Sequence, residues 1–270
     1  MITLNYAWFI WKNYRGLLLF STVFMALMQF LMLFLITTID YAPIIDALLN
    51  RLPAQIRVLF AAEFLQRISA EGATAFGFNH PMVLAILALS AILIPARHVA
   101  GEVEAGTLEI LLTCPTVRWR HIITVWCASA VQLLIIVCGG WLGSCVSIAV
   151  FHTFSKQIVM GILKVGANAW LLFVLISSYT LLMSTFGKEG GKTGIRSAAI
   201  TLTFYVTHFL SSMWRPASFL KPMNIFHYYQ PQKLMFGGRS VVVNAIVLSI
   251  ATAICLTAAI YQFKRRDIPG

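Results

Sequence analysis

Charge is what this chain has least of. Only 11% of its 270 residues are charged, and nine of them are acidic, against about a quarter charged in a soluble domain. The long apolar runs hold no Asp, Glu, Lys or Arg at their centres. Ion-coupled carriers place such residues near the midplane to move protons or bind cations, so that class is disfavoured. The five cysteines (Cys114, Cys127, Cys138, Cys145, Cys255) form no CxxC pair, and most sit in apolar stretches as small buried residues do. This excludes a disulfide framework and a cysteine metal site. The six histidines show no HExxH and no pair at ligand spacing; five fall at span ends or in loops, and only His208 inside a span. A nucleotide site is missing too. GKEGGKT (Gly187–Thr193) has the composition of a phosphate-binding loop, but the position that needs its first glycine is Phe186. It reads as a flexible basic turn, with no second ATPase signature elsewhere. The chain does not hydrolyse ATP alone and carries no cofactor of its own. Any energy it uses comes from a partner.

What is present is apolar length. The chain is 59% hydrophobic with mean hydropathy +0.83, and runs of about 20 apolar residues read as transmembrane helices. The expected class is an all-α polytopic membrane protein, one domain over residues 1–270. Six spans are predicted at about 17–38, 81–96, 122–150, 167–186, 197–214 and 241–262. The first is too long for a signal core and lacks a small-x-small cleavage site. Span 1 has one strongly polar interruption, Gln29. Pro81 opens span 2 at a favoured first helical position. Gly139 and Gly143 form a GxxxG in span 3, which permits close helix approach.

Between the spans lie segments with their own signals. Thr3–Arg15 carries Tyr6, Trp8, Phe9, Trp11 and Tyr14 with Lys12 and Arg15, as an interfacial helix does; the alternative is a frayed start to span 1. In the long loop 40–80, apolar residues from Ile44 to Ile68 recur at nearly helical spacing, which predicts amphipathic helices on the membrane surface, broken at Pro53. A short loop with Lys156 and Lys164 precedes span 4. The stretch 215–240, rich in Phe, Tyr and Pro, is too apolar for a free loop. It predicts either membrane-dipping elements or a folded outer cap.

The net charge of +11 lies mostly in short loops beside spans. Membrane orientation and anionic headgroups account for it without nucleic acid. Six spans put both termini on one side, and the terminal KRR together with the short even-numbered loops makes that side the cytoplasm.

One segment then stands out, Arg97–His121. It holds Glu102, Glu104 and Glu109, three of the nine acidic residues, between spans 2 and 3. Gly101 and Gly106 weaken a continuous helix. Thr107 is a candidate N-cap for a short helix Leu108–Thr113, with Glu109 in its first turn, and Pro115 ends it. From chemistry alone the segment is either a handle for a cytoplasmic partner or an ordinary interfacial loop.

AGEVEAGTLEILLTCPTVR resembles the permease subunits of ABC-2 type ABC transporters, in which an acidic residue is followed by GTLE, a Leu-Leu pair, Pro and a basic residue. Glu102, Glu104, Gly106, Thr107, Leu108, Glu109, Leu111, Leu112, Pro115 and Arg118 match in order, and GFNHP (Gly77–Pro81) and FKRRD (Phe263–Asp267) are also family-like. The resemblance implies a coupling helix that docks on a separate ATP-binding subunit, which holds the ATP and Mg²⁺. It also implies two permeases, identical or paralogous, with two ATPases in a bacterial cytoplasmic (inner) membrane. The expected function is an exporter subunit for lipid-like or amphipathic cargo, in contact with membrane lipid. The alternative is a non-transporting membrane anchor or channel that recruits a cytoplasmic partner.

Overall fold

A computed structural model describes residues 2–39, 41, 69–107, 118–238 and 240–266, and among these all regular structure is helical. The elements are α1 (Ile2–Thr38), α2 (Ala70–Asn79), α3 (Pro81–Pro95), a π-helical turn (Ala96–Ala100), α4 (Gly101–Glu104), α5 (Arg118–Val150), α6 (Lys156–Phe186), α7 (Gly190–Met213), 3₁₀ turns at Arg215–Met223 and Ile225–Tyr228, α8 (Pro231–Met235) and α9 (Val241–Arg265). Among the described residues, five stretches are long and apolar enough to cross a membrane: Leu4–Thr38, Pro81–Glu104, Arg118–Val150, Lys156–Phe186 and Val241–Arg265. The fifth predicted span, α7, is a 24-residue helix but is not among them. Contacts near the two chain ends show that α1 starts, and α9 stops, at the same end of the bundle: Tyr6 meets His98 and His121, and Phe263 stacks on His121.

The bundle buries polar side chains beside its apolar core and turns large apolar side chains outward. Ser21, Gln29, Ser90, Ser129, Gln132, Asn168, Ser177 and Thr180 are buried, while Leu19, Phe20, Leu27, Leu142, Val242 and Ile254 are exposed. Small residues set helix separation. A Cβ on Gly139 would lie 2.7 Å from the Thr22 carbonyl oxygen, and one on Gly143 would run into that of Ala26. The GxxxG is thus the seam between α5 and α1. Half-buried indoles also tie helices together: Trp11 donates to the Ala128 carbonyl, Trp170 to Ala130 and Trp141 to Ile162. In an apolar medium such polar contacts and close packing carry helix association.

Three expectations need correction. Thr3–Arg15 is not a separate interfacial helix, since α1 runs unbroken from Ile2 through Gly16. Lys156 and Lys164 are not in a loop: Ser155 accepts the Gln157 N–H and starts α6 there, well before Ala167. Span 2 does not stop at Ala96. Pro95 has no N–H to give its helix, and the chain widens into a π turn and continues as helix to Glu104. The apolar positions from Ile44 to Ile68 lie outside the described residues.

Helix α2 was not foreseen. It is capped by Ser69, and Gly72, Ala73, Thr74, Ala75, Gly77 and Phe78 on it are buried. Gln29 explains its place: with the amide oriented so that both ends are satisfied, it donates to the Thr74 carbonyl and accepts the Phe78 N–H. Those two groups belong to one helical turn. The stretch after α7 also turns back along the bundle. Asn224 donates to the Phe204 carbonyl and to the Thr207 hydroxyl, a level about 14 Å back from Met213 at 1.5 Å per residue. Tyr229 then donates to the Phe78 carbonyl at 2.8 Å, which joins this segment to α2.

Candidate functional site

The flanks of the Arg97–His121 segment meet the ends of four other helices. On its upstream side, the π turn buries His98. The His98 Nδ1 lies 3.1 Å from the Tyr6 hydroxyl and 3.5 Å from Glu102 Oε1. The His121 Nε2 lies 2.9 Å from the His98 carbonyl, and Tyr14 meets His98 edge-on. These histidines are therefore not interfacial loop residues; both are buried and lock α1, the π turn and α5 together. Thr107 turns back on the same cluster and donates to the main-chain and carboxylate oxygens of Glu102.

Glu104 points the other way. Its Oε2 accepts the N–H of Gly190, the first residue of α7, at 2.9 Å. That helix starts at Glu189, which gives no side-chain cap, so a carboxylate from another helix supplies it. A negative group is stabilising at a helix N-terminus, where unpaired N–H groups concentrate positive charge. The approach is close because both partners are glycine-lined: a Cβ on Gly190 would lie 3.0 Å from the Ala96 carbonyl oxygen and from the Gly101 Cα. Gly101, expected to weaken the helix, instead stays helical and makes this contact. Gly106 is where the helix ends, at φ +67°, a conformation that favours glycine.

Downstream, Arg118 donates to the main-chain oxygen of Arg266. The Arg266 guanidinium in turn donates to the carbonyls of Ser184, Thr185 and Gly187 at 3.4, 2.9 and 2.8 Å. These are the unpaired carbonyls that end α6, and a cation there is favoured by the helix dipole. Partial burial lowers the Arg266 pKa from the ordinary arginine value. Both flanks thus converge on the turn 187–189 between α6 and α7. Glu104 holds its outgoing end directly, and Arg118 reaches its incoming end through Arg266.

Of the predicted site residues, Glu102, Glu104, Gly106, Thr107 and Arg118 are described and take part in these contacts or in the helix end. Leu108, Glu109, Leu111, Leu112 and Pro115 lie outside the described residues. Tyr6, His98, His121, Gly190 and Arg266 were not predicted for this site. Tyr6 lies among the aromatics of the N-terminal stretch, His98 and His121 within Arg97–His121 and Arg266 in the terminal KRR, but no local signal pairs them with one another. Among the described residues no three His, Cys, Asp or Glu side chains gather to hold a metal.

The sequence model of one family, described as ABC-2 family transporter protein, matches residues 14–268. The chain belongs to this family. It is thus the membrane component of an ABC transporter, a multi-pass protein of the permease type, and membership implies an ATP-binding partner in general. No curated protein matches the chain.

Proposed function

We propose that this chain is the membrane-spanning subunit of an ATP-driven exporter of lipid-like or amphipathic cargo, and that residues 102–118 dock on a separate cytoplasmic ATPase. The observation that carries this is the convergence of both flanks on the 187–189 turn. A push on residues 108–117 would reach the α6–α7 hairpin and the end of α9 together. Glu102 and Thr107 would hold the upstream flank stiff against α1 through His98 and Tyr6. ATP and Mg²⁺ would bind only to the partner, in a complex of two ATPases with two permeases, the second an identical chain or a paralogue.

In this proposal α7 is the sixth span, and both termini face the cytoplasm of a bacterial inner membrane. Its low hydropathy comes from Lys192 and Arg196 in its first turns, from His208, and from Thr and Ser, whose hydroxyls are satisfied within the helix: Thr201 donates to the Ser197 carbonyl, Thr203 to Ala199 and Thr207 to Thr203. Its polar Thr193, Ser197 and Thr201 face inward, while Leu202, Val206 and Phe209 face out, as a membrane helix requires. The segments around α2 and 215–235 act as membrane-dipping elements, supported by the depth at which Asn224 and Gln29 bind.

The test is co-purification and ATP turnover of the complex. Glu109→Lys or Leu108→Asp should weaken ATPase binding or uncouple turnover while the permease stays folded in the membrane. Normal co-purification with normal coupled turnover would exclude the coupling role and favour an anchor or channel.

A further inference from the structure

A groove of about 800 Å³ opens between α3 and α7. Its walls are apolar, with Ala88 and Ile92 on one side and Gly194, Ala198 and Leu202 on the other. Gly194 faces α3 closely, where a Cβ would meet Ala96 and Ile92 at ordinary contact distances of 3.7 and 3.9 Å. It runs from Pro81 to Arg97, about 24 Å along a helix and most of a hydrocarbon core about 30 Å thick. One charged side chain lines it, Arg97, at the end near the 187–189 turn. Arg97 is exposed and makes no ion pair or hydrogen bond among the described residues. The nearby carboxylates of Glu102 and Glu104 are already engaged with His98, Thr107 and Gly190.

We infer that this groove binds a bilayer lipid with an anionic phosphate head group, the acyl chain lying along α3 and α7 and the phosphate meeting Arg97. A long apolar trough with a single cation at one mouth, unpaired among the described residues, complements an amphiphile with one negative end. A neutral lipid would leave the guanidinium without a partner, and a second protein chain would have to bring a carboxylate to the same spot. The inference rests on the lipid-like cargo proposed above and names the site and the charge of its head group.

The experiment uses the full chain in phosphatidylcholine vesicles carrying a trace of a lipid with a photoreactive acyl chain. The probe is phosphatidylglycerol in one sample and phosphatidylcholine in the other, and adducts are mapped by peptide mass spectrometry. Groove residues on α3 and α7 should take the anionic probe about fivefold more than the neutral one, the preference expected from one Arg near a charged head group. The outward-facing Val242, Ile246 and Ile250 of α9 should take both equally. Arg97→Gln should reduce groove labelling by the anionic probe to that of the neutral one, and Ala198→Trp should reduce labelling by both. Equal labelling by the two probes, or no change in Arg97→Gln, overturns the inference. So does a groove shielded from both probes whose Ala198→Cys variant cross-links two copies. Because no ATPase is present, a negative result here leaves coupling intact, while failure of ATPase co-purification leaves the groove untouched.

Discussion

The carboxylate of Glu104 caps a helix to which it does not belong, accepting the Gly190 N–H from 86 residues away at 2.9 Å. At the other end of the same turn Arg266 covers the last carbonyls of α6. A helix end is a natural grip: its unpaired groups are polar, its dipole adds to the attraction, and the rod behind it moves as one. Two opposite charges therefore hold the α6–α7 hairpin at the two helix ends that flank its turn.

That arrangement predicts unequal effects of three substitutions. Arg266→Ala should cost about 1–3 kcal/mol, because several charge-assisted bonds go at once. Glu104→Gln keeps an acceptor and should cost only about 0.3–1 kcal/mol, the dipole contribution. Arg118→Ala removes one exposed bond and should change thermal stability least. In the assembled complex all three should lower permease-stimulated ATP turnover in the same order; full coupling in Arg266→Ala would show that the clamp does not transmit.

Two glycines should answer oppositely to the same change. Gly143→Ala forces a Cβ into the Ala26 backbone, and overpacking of this kind costs about 1–3 kcal/mol. Gly16→Ala meets nothing within 4 Å and should stabilise α1 by about 1 kcal/mol. Melting temperatures of the two variants in one detergent decide it. A tolerant Gly143→Ala would mean that α1 and α5 do not touch along this seam.

Tyr229→Phe deletes a single buried hydrogen bond, to the Phe78 carbonyl. The expected loss is about 1 kcal/mol, seen as a small drop in unfolding temperature. Tyr229→Ala also empties a buried ring site and should cost about 3–5 kcal/mol. If both variants unfold like the parent, the 215–235 segment is not docked on α2.

Helix α7 as a sixth span puts Lys188 and Ser212 on opposite faces of the membrane. In a cysteine-free background, Lys188→Cys should be reached by an impermeant maleimide only from inside and Ser212→Cys only from outside. Labelling of both from one side would remove α7 from the spans.

Much of this protein is legible in its residues. Gln29 was conspicuous as the polar interruption of α1, and Gly139 and Gly143 carried their spacing openly. Pro81 marked its helix start, and Glu102 to Arg118 stood out for holding three of the nine acidic residues. Helix α2 escaped because Gly72, Ala73, Thr74, Ala75 and Gly77 bury small side chains on many sides and leave no amphipathic period. The break expected at Gly101 rested on local propensity. A backbone contact with Gly190 overrides it.

Length and hydropathy need no partner to be read: burying a polar backbone in lipid demands helices, and an apolar run of sufficient length declares one. Which face of each helix turns inward is a different matter. When lipid tails are as apolar as leucine, hydrophobicity cannot choose between the bundle interior and the bilayer. The choice falls to glycine seams, half-buried indoles, buried hydroxyls, and charges set on distant helix ends. Each of these has meaning only once its counterpart is in place. Thus Glu104 read as part of a charged loop until Gly190 stood beside it, and Arg266 as a tail residue until the carbonyls of α6 came within its reach.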